Sequence, residues 1–258
     1  MKLAHMLVAS GIVLMLSSAG AFAQSDVSAD VIIDGCTFTK RFDATDYSTE
    51  LTIRKDGSVT DSKRYPGRLG RIEGYDLDND GVTEAIVEFF SGGAHCCTTL
   101  EAYGMANGRL SFLDSIYWGN GGYEIADLDG NGKYEVIGDN DMFAYAFTSY
   151  AGSRSFLNIY EFSEGRFVNA TDRFAQIVRY NIVRLMNDLD ATTYEGVDCS
   201  GEGKGGDPGE VKSVLAAILA SYHSIGETSR GYEMIGSRYP CNDRQEFIDK
   251  LMNEFKLK

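Results

Sequence analysis

The chain is poor in the residues that most enzyme chemistry and most nucleic-acid binding draw on. Its 258 residues include three histidines, one tryptophan, three prolines and five cysteines. Basic residues number 24 against 38 acidic ones, a net charge of −14 at pH 7. That deficit of positive charge excludes polyphosphate backbones and anionic membrane surfaces as electrostatic partners. Beyond the first residues, no apolar run reaches the ~20 residues a membrane-spanning helix needs. There is no nucleophile elbow, no phosphate-binding glycine loop and no H-E-x-x-H zinc motif. Scarce proline, 29 glycines and many aromatic residues fit a turn-rich β region.

Residues 1–23 read as a secretory signal peptide. Lys2 supplies the positive start, Leu7 to Leu16 is largely apolar, and Ala21-Phe22-Ala23 is an A-x-A-like cleavage site. No cysteine follows that site, which argues against a lipid anchor. The expectation is a periplasmic or secreted protein cleaved after Ala23, with no stable membrane insertion. Removing Lys2 takes the net charge to −15, and the remaining 235 residues suit one large domain or two small ones.

What the chain does have is two short acidic loops of one design. Asp76-Leu77-Asp78-Asn79-Asp80-Gly81-Val82-Thr83-Glu84 and Asp127-Leu128-Asp129-Gly130-Asn131-Gly132-Lys133-Tyr134-Glu135 both read D-x-D-x-[DN]-G-x-x-E. Oxygen-bearing side chains fall at positions 1, 3, 5 and 9, and glycine falls at 6. Ca²⁺ takes six to eight oxygen ligands and tolerates irregular geometry, which a tight loop of alternate carboxylates can satisfy. The expected ligands are Asp76, Asp78, Asp80, the Val82 carbonyl and Glu84 in the first loop. In the second they are Asp127, Asp129, Asn131, the Lys133 carbonyl and Glu135. These are not EF-hands: position 12 is Val87 or Gly138 rather than Glu, and the flanks are rich in β-branched and aromatic residues, as strands are. A plain acidic hairpin turn is the alternative, because Asp, Asn and Gly are also turn residues.

The loops begin 51 residues apart, at Asp76 and Asp127, a spacing typical of repeat architectures. Within the first unit the pattern predicts strands near 84–90, 95–103, 109–117 and 122–126. In the second it predicts 134–138, 142–150 and 155–161. Upstream, Lys55-Asp56-Gly57 between apolar alternations marks a hairpin. After Thr171 the apolar period changes from 2 to 3.6. Phe174, Ile177, Val178, Ile182, Leu185 and Leu189 form one helical stripe. A second helix is predicted from Asp207-Pro208-Gly209-Glu210, a capping box with proline at N1, to Gly226. A third is predicted from Asn242, with Gln245 at N3. The division expected is a β-repeat domain over 24–170 and a helical domain over 171–258, covering one open end of the β region.

On the strength of the two D-x-D-x-[DN]-G-x-x-E loops, each followed by an apolar strand, and of Gly93-Ala94 after the first, residues 70–170 resemble the FG-GAP/VCBS repeat family. Its best-known members are the β-propellers of integrin α subunits. The resemblance implies propeller-type β repeats, incomplete or open, with Ca²⁺ in both loops. The chain departs from the family in having Glu at position 9, no evident Phe-Gly element and only two clear repeats, where a propeller needs four or more.

The other unusual stretch is Gly92-Gly93-Ala94-His95-Cys96-Cys97. Adjacent cysteines in an exported chain can bond each other, join separate partners such as Cys36, or bind a soft metal with His95. Cys199 and Cys241 flank the later helices and are expected to pair. Beyond the signal segment only His95 and His223 remain, and His223 falls near a helix end. Trp118, Tyr145, Phe147, Tyr150 and Tyr160 offer either packing or a sugar-binding face. The reading that follows is an exported, non-enzymatic Ca²⁺-binding module whose partner is a protein or a cell-envelope glycan. The alternative is an envelope hydrolase acting on peptidoglycan or polysaccharide near His95.

Overall fold

The computed structural model describes residues 29–92, 97–106 and 109–258. The expected signal peptide, Asn107-Gly108 and His95-Cys96 lie outside them. The described chain forms three antiparallel four-stranded meanders followed by four helices. The first sheet holds β1 (Ala29–Ile33), β2 (Cys36–Asp43), β3 (Ser48–Lys55) and β4 (Ser58–Pro66). The second holds β5 (Arg68–Tyr75), β6 (Glu84–Phe90), β7 (Thr98–Ala106) and β8 (Arg109–Gly119). The third holds β9 (Tyr123–Ala126), β10 (Glu135–Asn140), β11 (Phe156–Ser163) and β12 (Arg166–Asn169).

The sheets are layered, and each interface has its own core. Phe38, Leu51, Ile53 and Tyr65 of the first sheet meet Ile72, Val87 and Tyr103 of the second. Ile86, Leu100, Ile116 and Trp118 of the second meet Val136 and Phe162 of the third. Alternation along β3 explains the placing: Leu51 and Ile53 point inward, while Glu50, Thr52 and Arg54 point out beside Arg41, Thr39 and Thr37 of β2. The first sheet therefore presents a polar outer face, and the third is covered by helices. This is an open stack capped at both ends, as repeat arrays need to be. No closed ring is formed among the described residues.

Between the first two sheets lies a buried polar knot. Glu101 Oε2 accepts hydrogen bonds from Tyr65 Oη at 2.6 Å and Tyr103 Oη at 3.0 Å, and Lys63 Nζ sits 2.7 Å from Oε1. Burial and the neighbouring carboxylate push both phenols well above their ordinary range.

The helices are α1 (Ala175–Thr192), α2 (Pro208–Ser224), α3 (Thr228–Arg238) and α4 (Arg244–Asn253). Val211, Val214, Leu215, Ile218 and Leu219 make α2 the central helix, buried from Ser213 to Tyr222. The expected α2 cap is present: Asp207 Oδ1 accepts the Glu210 N–H at 2.9 Å, with Pro208 at the first turn. Asp207→Ala is expected to lower stability by about 1 kcal/mol, the usual worth of such a cap. A urea-unfolding midpoint that falls with an unchanged m-value checks this.

Three expectations change. The segment 142–150 is not a strand but a run of turns ending in a 3₁₀ turn at Tyr150–Gly152. Two of its aromatic residues belong to the helical core instead: Phe143 is fully buried, and Phe147 packs on Phe247 and Phe255. The helix expected at Asn242 begins at Arg244 without a side-chain cap, because the Asp243 carboxylate is taken by Lys212 and by Tyr239 Oη. Helix α3 lies beyond Gly226, where the sequence reads as a stop. Its Gly231 gives way to Leu219 of α2, and a Cβ there would meet Leu219 Cδ1 at 2.5 Å.

Candidate metal sites

The two acidic loops occupy equivalent places, joining the first and second strands of the second and third sheets. Each is organised around the aspartate at position 1. Asp76 Oδ1 accepts the Asp80 N–H at 3.0 Å, and Oδ2 accepts the Gly81 N–H at 3.0 Å. Asp127 accepts from Gly130 and Asn131 through Oδ1, at 2.7 and 3.1 Å, and from Gly132 through Oδ2 at 3.0 Å. These backbone donors hold the Asp127 carboxyl below its ordinary range, the Gly132 bond first among them. Position 6 turns the chain through the left-handed region, at φ +87° for Gly81 and +86° for Gly132, where a side chain would be strained.

This folding gathers three carboxylates in each loop. Oxygens of Asp76, Asp78 and Glu84 lie within 4.8 Å of one another, as do those of Asp127, Asp129 and Glu135. Both position-9 glutamates are buried, at 5% and 0% exposure. Each spends one oxygen on the loop itself: Glu84 Oε2 accepts the Leu77 N–H at 3.0 Å and Glu135 Oε2 the Leu128 N–H at 2.8 Å. The other oxygen of Glu135 is buried and has no hydrogen-bond partner, and the same holds for Asp78 Oδ1. A buried acceptor without a donor costs about 1–3 kcal/mol, more when charged. Pairs of like charges at ~4 Å repel by about 1 kcal/mol in bulk water and about 4 kcal/mol in a partly buried setting. An oxygen-only donor set with buried, unpartnered carboxylate oxygens fits a hard cation such as Ca²⁺.

Position 5 behaves differently. Asp80 Oδ1 accepts the Val82 N–H at 2.8 Å and Asn131 Oδ1 the Lys133 N–H at 2.7 Å, so both are engaged in the turn. Position 2 is the element that the loop pattern leaves unspecified. Leu77 is fully buried between the second and third sheets, and Leu128 packs toward Ile159, Phe174 and Ile177 at the helical layer. Each loop is thereby pinned to the next layer by its leucine.

The acids carry the electrostatic mark of this crowding. Burial raises the Glu84 carboxyl to about 7, with the Asp78 and Asp80 charges adding to the effect. Burial also raises Asp78 and Glu135, again with neighbouring carboxylates contributing. A carboxyl raised on folding favours the folded state while it is protonated. That contribution is full below the unfolded value near 4.5 and is lost as pH rises through about 7. Metal-free protein is therefore expected to lose stability between pH 5 and 7.5, and Glu84→Gln is expected to flatten that slope. Thermal unfolding of chelator-treated, dialysed protein across this range measures it; identical slopes would contradict it.

The remaining candidates scatter. Cys199 and Cys241 are bonded as expected, with Cα atoms 5.3 Å apart. Cys36 is a free thiol buried in the core between the first two sheets, so it bridges no other cysteine; burial raises its pKa. Cys97 is disulfide-bonded, and Tyr117 Oη lies 2.9 Å from its sulfur. His95 lies outside the described residues. His223, near the end of α2, has Nδ1 3.0 Å from Thr228 Oγ1. Trp118 is buried, stacked on Tyr123 with Tyr160 at its edge, and Phe147 is in the helical core. Tyr145 is exposed and pairs with Tyr150. These aromatic residues do not form one sugar-binding face.

A shallow groove of about 210 Å³ runs beside the first loop, lined by Arg71, Glu73, Tyr75, Tyr123, Glu124 and Ile125. Its polar groups are fixed: Tyr123 Oη donates to Glu88 Oε2 at 2.8 Å, and the Arg71 guanidinium lies over the Tyr123 ring.

Among known proteins, the chain is similar to a probable thylakoid lumen protein of Synechocystis, 27% identical over 179 residues that cover 67% of this chain and 49% of the relative. It is also similar to an uncharacterized protein of Sinorhizobium fredii, 29% identical over 77 residues, 30% of this chain and 12% of that one. The chain thus spans about half the length of the first relative and a small part of the second. No family profile and no solved structure matches it.

Proposed function

We propose that this is an exported Ca²⁺-binding protein built on FG-GAP-like repeats, a non-enzymatic module that binds a protein or a cell-envelope glycan. The observation that carries the reading is the pair of carboxylate trios, each within 4.8 Å, with Glu135 Oε1 fully buried and unpartnered. One ion per loop would take Asp76, Asp78 and Glu84, or Asp127, Asp129 and Glu135, with the Val82 and Lys133 carbonyls completing the shells. Asp80 and Asn131 would join from the turn. Export is supported by the signal-like N-terminus, by the Cys199–Cys241 bond and by a relative named for a lumenal compartment. No described helix is long and apolar enough to cross a membrane.

In this reading the ions stiffen the edge from which a partner is bound. Tyr75 ends β5, lines the groove and immediately precedes Asp76, so fixing the loop fixes the groove wall. The first loop should bind more tightly, because it offers four acidic side chains against three. Titration calorimetry of chelator-treated protein tests the proposal. Two Ca²⁺ per chain, with dissociation constants at or below about 10⁻³ M and little response to Mg²⁺, is the expected result. Absence of Ca²⁺ heat would reduce both loops to acidic turns.

A further inference from the structure

We infer that the two loops form one coupled unit, in which an ion held by either raises the affinity of the other through the backbone of Leu77. The inference rests on the calcium reading above and goes beyond it, since two separate loops would ordinarily bind independently.

The observations concern one residue with two hydrogen bonds. The Leu77 N–H donates to Glu84 Oε2, a carboxylate of the first trio, at 3.0 Å. The Leu77 carbonyl accepts the Tyr134 N–H of the second loop, also at 3.0 Å. Tyr134 lies between Lys133, whose carbonyl is an expected ligand, and Glu135, which belongs to the second trio. A shift of the Leu77 peptide is thus felt at Glu84 on one side and at positions 7 and 9 of the neighbouring loop on the other. That peptide has little freedom to absorb the shift locally. The Leu77 side chain is fully buried in the core that holds Val136, and the rings of Tyr75 and Tyr134 meet edge-on at 5.6 Å. The loop tips also touch: a Cβ on Gly132 would come within 2.9 Å of Asn79 Nδ2. The fully buried, unpartnered Glu135 Oε1 points to a ligand on the far side of this link, independently of the acidic spacing.

The sign follows from what each loading event must order. Holding Glu84 on an ion fixes Leu77, which fixes Tyr134 and so the approach of Glu135. The second ion then meets a loop whose ordering has already been done, which is positive coupling. Repulsion between the two cations opposes this, so the observed coupling is what ordering contributes beyond that repulsion. By linkage the effect is reciprocal.

The test uses Asp78→Asn and Asp129→Asn in the full exported chain, each weakening one trio while keeping the shape of the side chain. Calorimetry with Ca²⁺ at 0.15 M salt should give two ions for the wild type. In each variant the surviving site should be weaker by at least about fivefold than that site in the doubly loaded protein, the lower end of typical couplings. In Asp129→Asn, Ca²⁺ should also slow hydrogen exchange at the Tyr134 amide, although that loop no longer holds its ion. Two ions in the wild type with unchanged affinities in both variants and an unresponsive Tyr134 amide would overturn the coupling and leave the calcium reading intact. No Ca²⁺ binding by the wild type would overturn the calcium reading itself. Far-ultraviolet circular dichroism of each variant verifies its fold, and the two reciprocal variants keep the test decisive if one is unstable.

Discussion

Replacing both Cys199 and Cys241 by serine is expected to lower the unfolding free energy by about 4 kcal/mol, on the chain-entropy model for a loop of this length. The bond closes a segment 42 residues long that contains all of α2 and α3. Its first stretch, from Cys199 to Gly206, holds four glycines, which give the unfolded chain unusual freedom. The folded segment is held at both ends: Cys241 is buried in the helical core, and α2 is its central helix. Removing the bridge should therefore act mainly on the unfolded state, leaving helix content unchanged while the unfolding midpoint falls. Urea titration of the variant beside the parent chain measures this. A difference below about 1 kcal/mol would mean that packing alone confines these helices.

That bond was legible in the sequence because two cysteines flank apolar helical stripes, and so was the capped start of α2. Repeat spacing indicated two of the sheets, but it grouped 122–126 with the strands of the second sheet, whereas β9 opens the third, and it gave no full count. The first sheet has no acidic loop. Its β1–β2 connection is the two-residue turn Asp34-Gly35, both at positive φ, so the signal that marks the other sheets is missing there. The segment after β10 misled for a related reason. Alternating aromatic residues at Phe143, Tyr145 and Phe147 imitate a strand, yet the residues that claim two of them, Phe247 and Phe255, lie a hundred positions later. Helix α3 was hidden because Gly226 reads as a stop; its own Gly231 serves as a contact with Leu219. In the candidate site, loop spacing indicated which carboxylates converge, but not that Asp80 and Asn131 bond to the turn. Nor did it reveal the part played by leucine at position 2. Leu77 and Leu128 repeat as faithfully as the acids do. Their meaning depends on a neighbouring layer that the local pattern does not contain.

The second large effect is a crossing of stabilities at Glu135. At a hundred times its dissociation constant, one ion that binds only the folded chain stabilises it by about 2.7 kcal/mol, so two filled loops contribute about 5 kcal/mol. Thermal unfolding should follow Ca²⁺ concentration and respond little to Mg²⁺, which prefers a smaller octahedral shell and keeps its waters. Glu135→Gln separates this from a merely structural glutamate. The amide oxygen can still accept the Leu128 N–H, so the loop keeps its hydrogen bond. What is lost is a buried charge beside Asp127 and Asp129, whose free oxygen has no donor. Without Ca²⁺ that charge is a burden, and the variant should equal or exceed the parent in stability. With Ca²⁺ the charge is what holds the ion, and the variant should fall below the parent by about 2–3 kcal/mol. Unfolding of both proteins, chelated and in Ca²⁺ at a hundred times the parent's measured dissociation constant, gives the four numbers required. A variant weaker than the parent in both conditions by the same amount would mean that Glu135 serves the loop and no ion. Curves that cross would mean that the carboxylate is kept in the core for the sake of a cation.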